Sequence, residues 1–354
     1  MSNENSNYNL LVNGIYHDSH PIHAQWTRFL HWILPLETQL ELRNSGAIRL
    51  YIDGSTLTAI GILAVIFPKL TWRYLNISKM LRVYCYGSHK SQVFHWIPTN
   101  SDLMCKKTFI FIHEGAWGSG KPWMYRLLAS RFLVKGFNVA FIGYRTYPDG
   151  NIDDQIDDVE NGMDFLRTNF INENYSTIIL GGHSSGAHIT SMYLLRRCEK
   201  PNFYSDHPKI NLFIGFSGVY NVKKHYIYES WRGLHLVSPM GGAHGDEIEI
   251  FLDRSPSMIL SKRISKEQAK HFPPSLLIHG LNDSVVPFPT TSEFSKNLIQ
   301  KEVFVDICYL NEKDHFYPVG CLMFEENSIV EKKIDEVLRN LHRFGMFRLK
   351  QSKL

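Results

Sequence analysis

The sequence has no C-x-x-C pair. Its five cysteines, Cys85, Cys105, Cys198, Cys308 and Cys321, are odd in number and widely spaced. This argues against a disulfide framework or a cysteine-built zinc site and favours a reducing compartment. No block of like charge stands out, since 38 Lys and Arg face 34 Asp and Glu for a net +4. A nucleic-acid footprint is therefore absent, and the weakly basic end, RFGMFRLKQSKL, reads as a solvated tail. No signal peptide is read either: the opening MSNENSNYNL is polar and Asn-rich, which predicts disorder over residues 1–20. Neither apolar stretch, WTRFLHWILPL (Trp26 to Leu36) nor LTAIGILAVIF (Leu57 to Phe67), reaches the roughly 20 residues of a spanning helix. Over residues 21–83 they predict an apolar helical extension. It either packs on the rest of the chain or lies on a membrane surface, with Lys69, Arg73, Lys79 and Arg82 at its polar edge. The expected location is intracellular, in the cytoplasm or at the endoplasmic reticulum membrane through residues 26–82.

What is present is a regular alternation that begins at Lys107, with no strand read before it. KTFIFIH, FNVAFIGY, STIILGG, INLFIGFSG, PPSLLIHG and VFVDICYL are short apolar runs rich in strand formers. Between them lie MYRLLASRFLVKG, IDDQIDDVENGMDFLRTNF, AHITSMYLLRRC and TSEFSKNLIQ, which carry apolar residues at helical spacing. The second of these is predicted to turn an acidic face outward, and a last helix is expected from about Ser328 to Phe344. Strands alternating with helices predict an α/β fold with a mostly parallel central sheet covered on both faces. Val219 to Leu260 interrupts the alternation with aromatics and the turn PMGGAHGDE, and reads as a small cap at about 219–260. The boundaries read are therefore 1–20, 21–83 and a catalytic domain over 84–350.

The chemistry gathers at strand ends. LGGHSSGAHI sits between a predicted strand and a predicted helix, the context of a nucleophile elbow. So tight a turn needs small residues two before and two after the nucleophile. Centred on Ser184 these are Gly182 and Gly186; centred on Ser185, His183 would crowd the turn. Ser184 is therefore the expected nucleophile, and the amide of Ser185 is expected in the oxyanion hole. A serine needs a base, and the base needs an orienting acid. In chain order these are Asp283, in the loop after LLIHG, and His315, in the loop NEKDHFYPVG. Asp314, beside His315, is expected to point elsewhere. The loop HEGAWGSG offers the Gly115 and Ala116 amides as further oxyanion donors, with Trp117 as an acyl-pocket wall and His113 orienting the loop.

This constellation resembles the α/β-hydrolase superfamily, and within it the branch with an H-G-G-x-W loop. That branch includes the prenylcysteine methylesterases and the kynurenine formamidases. HEGAWGSG, GYRTYPDGNIDDQIDDV, GHSSGAHI, FSGVYN, IHGLNDSVVP and KDHFYP fall in the order of their counterparts in the methylesterase group, over about residues 84–345. The resemblance implies an α/β-hydrolase fold and a Ser184–His315–Asp283 triad acting through an acyl-enzyme, with no metal and no organic cofactor. The implied partner is a small apolar or prenylated ester, held under a cap that carries Tyr220, Tyr226, Tyr228, Trp231 and Leu234. Tyr220 and Trp231 are candidate pocket residues. The oligomeric state is not legible. Two features depart from the branch: the loop EKDHFYP lacks the threonine and aspartate of the methylesterases, which leaves the substrate open, and Glu114 stands where glycine is usual. A carboxylate beside a developing oxyanion would raise the barrier, so Glu114 is expected to face away and pair elsewhere. The rival readings are an arylformamidase using the same machinery and a non-catalytic binding protein on a hydrolase fold.

Overall fold

Each apolar run is short enough to cross a sheet once, and each amphipathic segment long enough to return along its surface, which prescribes a layered α/β arrangement. The structure, a computed structural model, describes residues 36–99, 107–170 and 177–351. The expected tail over 1–20, and all of Trp26 to Leu36 but its last residue, lie outside the described residues. Among the described residues three helices come first, α1 (Leu36–Asn44), α2 (Ala47–Ile66) and α3 (Pro68–Met80). Next come β1 (Arg82–Cys85), β2 (Val93–Ile97) and β3 (Lys107–Ile112). A 3-10 segment, Pro122–Leu128, runs into α4 (Ala129–Leu133), so the single helix expected there begins as a tighter coil behind Pro122. Then follow β4 (Asn138–Ile142), α5 (Ile152–Phe170), β5 (Thr177–His183), α6 (Ser185–Glu199) and β6 (Ile210–Phe216). The predicted cap region contains the short helices α7 (Val222–Trp231), α8 (Pro239–His244), α9 (Ile250–Asp253) and α10 (Pro256–Lys262), with α11 (Lys266–Ala269) beyond it. The chain closes with β7 (Ser275–Gly280), α12 (Pro289–Gln300), β8 (Val305–Leu310), α13 (Tyr317–Phe324) and α14 (Ile329–Gln351).

The eight strands form one sheet in the order β1-β2-β4-β3-β5-β6-β7-β8. β1, β2 and β4 pair antiparallel, and every pair from β4 through β3 to β8 is parallel. The two strands before Lys107 are a correction to the reading. They form the antiparallel edge, where β1 is mostly exposed and has no continuous apolar run to betray it.

Side-chain alternation sorts the core into two layers. Ile110 and Ile112 of β3 face one way, onto α5, α6, α12 and the helices of the β6–β7 insertion. Phe109 and Phe111 face the other way, onto the 3-10 segment, α4, α13, α14 and Ile77 of α3. The insertion belongs to the first layer: Val219, Tyr220, Val222, Met240, Phe251 and Leu260 are all buried. The N-terminal helices dock over the same edge of the sheet as the loop after β3. Arg43 of α1 makes a bidentate pair with Asp246 (2.7 and 2.8 Å), and Asp53 of α2 accepts from the Gly120 amide (3.2 Å).

One member of the acidic helix faces inward, against expectation. Asp158 is fully buried and accepts from the Arg145 backbone amide (2.8 Å), the Arg145 guanidinium (2.8–3.2 Å) and Gln92 Nε2 (2.6 Å). It ties the loop after β4 to α5. Removing one partner of a buried ion pair leaves the other uncompensated, so Asp158→Ala should lower stability by about 3 kcal/mol or more. The check is urea unfolding, with a lower midpoint at unchanged slope.

Candidate active site

β5 ends at His183, and the chain reverses into α6 at Ser184, whose φ of +52° and ψ of −120° no ordinary helix start adopts. Only a turn with very small neighbours permits this. A Cβ on Gly182 would meet the Gly186 carbonyl oxygen at 2.5 Å, and one on Gly186 would meet the Ile112 and His113 carbonyl oxygens at 2.3 and 2.4 Å. The small-residue argument that selected Ser184 over Ser185 therefore has a direct steric counterpart. Ser184 is 6% exposed, enough to be reached, and Ser185 is fully buried as the first residue of α6. The Ser185 amide is among those a helix leaves without an intrahelical acceptor.

The loop after β3 stands opposite. Gly115 (φ +139°), Ala116 (+48°) and Trp117 (+61°) hold left-handed or extended-positive backbone in sequence. The Gly115 carbonyl accepts from the Gly118 and Ser119 amides, while the Gly115 and Ala116 amides make no hydrogen bond among the described residues. They remain available to an oxyanion. His113 orients the loop, as expected. Its ring stacks on Tyr144 at 4.3 Å, its Nδ1 lies 2.8 Å from the Glu114 carbonyl, and Tyr144 donates to its carbonyl (3.0 Å).

Asp283 follows β7 and is fully buried. Its Oδ1 accepts from the Val285 and Val286 amides (2.9 and 2.8 Å). Its Oδ2 lies 2.7 Å from His315 Nδ1 and 3.0 Å from His279 Nε2. Burial opposes ionisation of this carboxyl, but His315 and then His279 outweigh it and hold it well below the usual range. His315 sits in the loop between β8 and α13, its carbonyl accepting from Ser217 Oγ (3.0 Å) and facing His183 Nε2 (3.1 Å). Asp314 points away, as expected, capping the Phe316 and Tyr317 amides at 3.1 and 2.9 Å.

Glu114 does not face away, which corrects the expectation. Its Oε2 lies 3.5 Å from His315 Nε2 and 3.0 Å from His183 Nδ1. The reason is polar satisfaction: two imidazoles and the Tyr125 hydroxyl, 3.0 Å from His183 Nδ1, converge at this point, and the carboxylate answers them. Burial opposes ionisation of Glu114, yet His183 and then His315 hold it well below the ordinary range. His315 thus lies between two carboxylates. Burial alone would lower it, but Asp283 foremost, and Glu114 with it, push it up to about 10. The nitrogen that would take a proton from a serine hydroxyl faces a carboxylate instead. Among the described residues no hydrogen bond joins Ser184 Oγ to His315.

Two of the candidate pocket residues are core. Trp117 is 1% exposed, donates from Nε1 to His188 Nδ1 (3.1 Å) and packs edge-on to His244. Tyr220 is fully buried and stacks on Phe294 of α12 at 4.4 Å. Trp231 is 38% exposed beside Tyr228, whose hydroxyl donates to the Ser284 carbonyl (2.7 Å). Val285, two residues after Asp283, and Phe316, the residue after His315, are exposed as well. The reading from sequence missed His183, Tyr125 and His279. His183 and His279 had a signal, since one is the last residue of β5 and the other the last but one of β7, at the same end of the sheet.

The sequence pattern of the BD-FAE family matches residues 96–298, more than half of the 354 residues. The isoprenylcysteine alpha-carbonyl methylesterase ICME of Arabidopsis thaliana is 26% identical over 256 residues, covering 70% of this chain and 59% of that protein. The chain spans about three fifths of the plant methylesterases of this kind that it matches. The kynurenine formamidase of Danio rerio is 25% identical over 270 residues, covering 75% of this chain and 81% of that protein. Among solved structures, esterase B from Lactobacillus rhamnosis superposes with a TM-score of 0.60 at 18% identity, covering 86% of this chain and 99% of that one. A mostly parallel eight-stranded sheet, a strained serine between β5 and α6 and a family match across the same region agree with one another. The chain has the α/β-hydrolase fold and belongs to the BD-FAE family.

Proposed function

We propose that the protein is a serine carboxyl-ester hydrolase. Ser184 attacks the ester carbonyl, and His315 takes its proton and returns it to the leaving group. Asp283 holds the imidazole with Nε2 as the acceptor. The amides of Gly115, Ala116 and Ser185 stabilise the oxyanion, and water then releases the acyl group from Ser184. The observation that carries this reading is the 2.7 Å contact from Asp283 to His315 Nδ1 beside a serine held at positive φ on a strand-to-helix turn. For turnover, Glu114 must yield its place at His315 Nε2 to the serine hydroxyl. Substrate entering along the oxyanion loop would displace it.

The finer reading is a small apolar or prenylated ester. Trp231 is exposed on α7, whose Tyr228 hydroxyl reaches the Ser284 carbonyl beside Asp283; Val285 and Phe316 are exposed next to the proposed acid and base, and methylesterases stand among the relatives. An arylformamidase is the second reading, favoured by the likeness to a kynurenine formamidase. Turnover of farnesylcysteine methyl ester and N-formylkynurenine, side by side, separates them. The first reading expects ester cleavage at least tenfold faster in kcat/KM, and formamide cleavage alone would move the protein to the second.

A membrane surface is the proposed partner of α2 and α3. Among the described residues no helix is long and apolar enough to cross a membrane. Yet Leu50, Tyr51, Val65, Phe67, Trp72 and Leu75 are exposed, with Lys69 and Lys79 exposed beside them. Arg73 is not on that polar edge, because it bonds to the Met323 carbonyl. Binding to phosphatidylserine-containing vesicles should fall about tenfold or more in Val65→Asp/Trp72→Asp, from the apolar area lost. Equal sedimentation of both proteins would remove the membrane from the account.

A further inference from the structure

Three ligand-type atoms from three separate segments converge in front of the proposed base. They are Glu114 Oε2 from the loop after β3, His183 Nδ1 from the end of β5 and His315 Nε2 from the loop after β8. Each lies within 4.8 Å of the other two. The two separations from Glu114 Oε2 are 3.0 and 3.5 Å. They bracket the edge of about 3.3 Å expected between ligands on a tetrahedral ion with bonds near 2.0–2.1 Å.

The far sides of the two imidazoles are already held in the manner of metal-binding histidines. His183 Nε2 faces the His315 carbonyl oxygen at 3.1 Å, and His315 Nδ1 faces the Asp283 carboxylate at 2.7 Å. Both partners only accept, so the protons of the neutral rings sit on those nitrogens. When both rings are neutral, His183 Nδ1 and His315 Nε2 are the nitrogens left to ligate, each next to the Glu114 carboxylate, and an ion binding there displaces the proton that His315 otherwise carries. Outer-shell acceptors of this kind fix the tautomer and orientation of metal-ligating histidines, and carboxylate–histidine–zinc is the recurring case. The Tyr125 hydroxyl, 3.0 Å from His183 Nδ1, is a donor in this space; it also interacts with Glu114 and can turn to that carboxylate. Two imidazoles and one carboxylate suit Zn2+ and leave a fourth position open.

We propose that Glu114, His183 and His315 form a Zn2+ site that blocks the base and reversibly silences the hydrolase. The silencing rests on the reading of His315 as the general base; the binding does not. An ion at His315 Nε2 takes the lone pair that would receive the Ser184 proton, so bound metal and turnover exclude each other.

The test uses full-length protein freed of metal with EDTA. Calorimetric titration with Zn2+ should show one equivalent bound at micromolar Kd or tighter. Co2+ in its place should give the intense visible bands of a four- or five-coordinate ion. Glu114→Gln should weaken Zn2+ binding about 100-fold and abolish the cobalt bands. Glu114→Gly, which carries the residue usual in the branch, should do the same and guards against a folding artefact of the glutamine. Cleavage of a short aryl ester by the wild type should fall with the same Zn2+ midpoint and return with EDTA. No stoichiometric binding, or equal binding by both variants, would overturn the site. Tight binding without inhibition would overturn its placement on His315. If the metal-free protein cleaves no ester, the hydrolase reading fails, while calorimetry and the cobalt spectrum still judge the site.

Discussion

Ser184→Ala should lower kcat/KM on any cleaved ester by on the order of 10^5-fold or more, with secondary structure and melting temperature close to the wild type. The magnitude follows from losing the nucleophile of a triad whose members act as a unit. The small structural effect follows from the site. Ser184 adopts its backbone because Gly182 and Gly186 allow the turn, and its side chain makes no hydrogen bond among the described residues. Steady-state kinetics with circular dichroism checks both halves. Ser185→Ala is the discriminating control: its side chain is buried and its contribution is a backbone amide, so activity should fall only a few-fold. Comparable losses in both variants would mean that the serine had been misassigned.

The second large effect concerns Glu114. In metal-free enzyme, kcat/KM should rise with pH along an acid limb set by His315, because only neutral imidazole can accept the serine proton. With His315 held at about 10 by Asp283 and Glu114, that limb lies on the alkaline side. Glu114→Gln keeps the shape and removes one of the two negative neighbours. The imidazole pKa then falls, and the neutral base appears at lower pH. The acid limb should shift down by about 1–2 pH units, and kcat/KM at pH 7 should rise about 10- to 100-fold. pH–rate profiles of the two proteins, recorded with EDTA, read this directly. An unmoved limb would show that Glu114 leaves His315 in the free enzyme. A limb moved upward would reverse the sign of the proposed interaction.

The parallel strands were legible because each reads as one apolar run, and all but the edge strand β8 are buried on both faces. KTFIFI and TIILGG are examples, and the observed ends fall within two or three residues of the reading. The edge pair β1 and β2 was not legible: β1 is mostly exposed and leaves no apolar run, and β2, though buried, is only five residues interrupted by His95. The 3-10 start at Pro122 and the helix directly after His315 were also missed. The first differs from an α-helix only in its winding, and the second follows a loop motif read for its chemistry. At the site, Ser184 could be selected because sterics at a tight turn depend on neighbouring residues alone. The approach of Asp283 to His315 could be expected because strand ends meet on one edge of the sheet. The orientation of Glu114 could not be read, because it depends on His183 and Tyr125, which chain distance hides. For the same reason Trp117 and Tyr220 looked like pocket walls but lie in the core: an aromatic side chain near a motif carries no sign of which layer it faces.

The most direct test of the central claim is covalent. Metal-free protein would be treated with a fluorophosphonate, digested, and its modified peptide sequenced by mass spectrometry. The account predicts one phosphonyl group on Ser184, formed faster as pH rises through the His315 titration and absent from Ser184→Ala. Labelling of another residue, or no labelling at any pH in folded protein, would contradict it and leave a binding protein on a hydrolase fold.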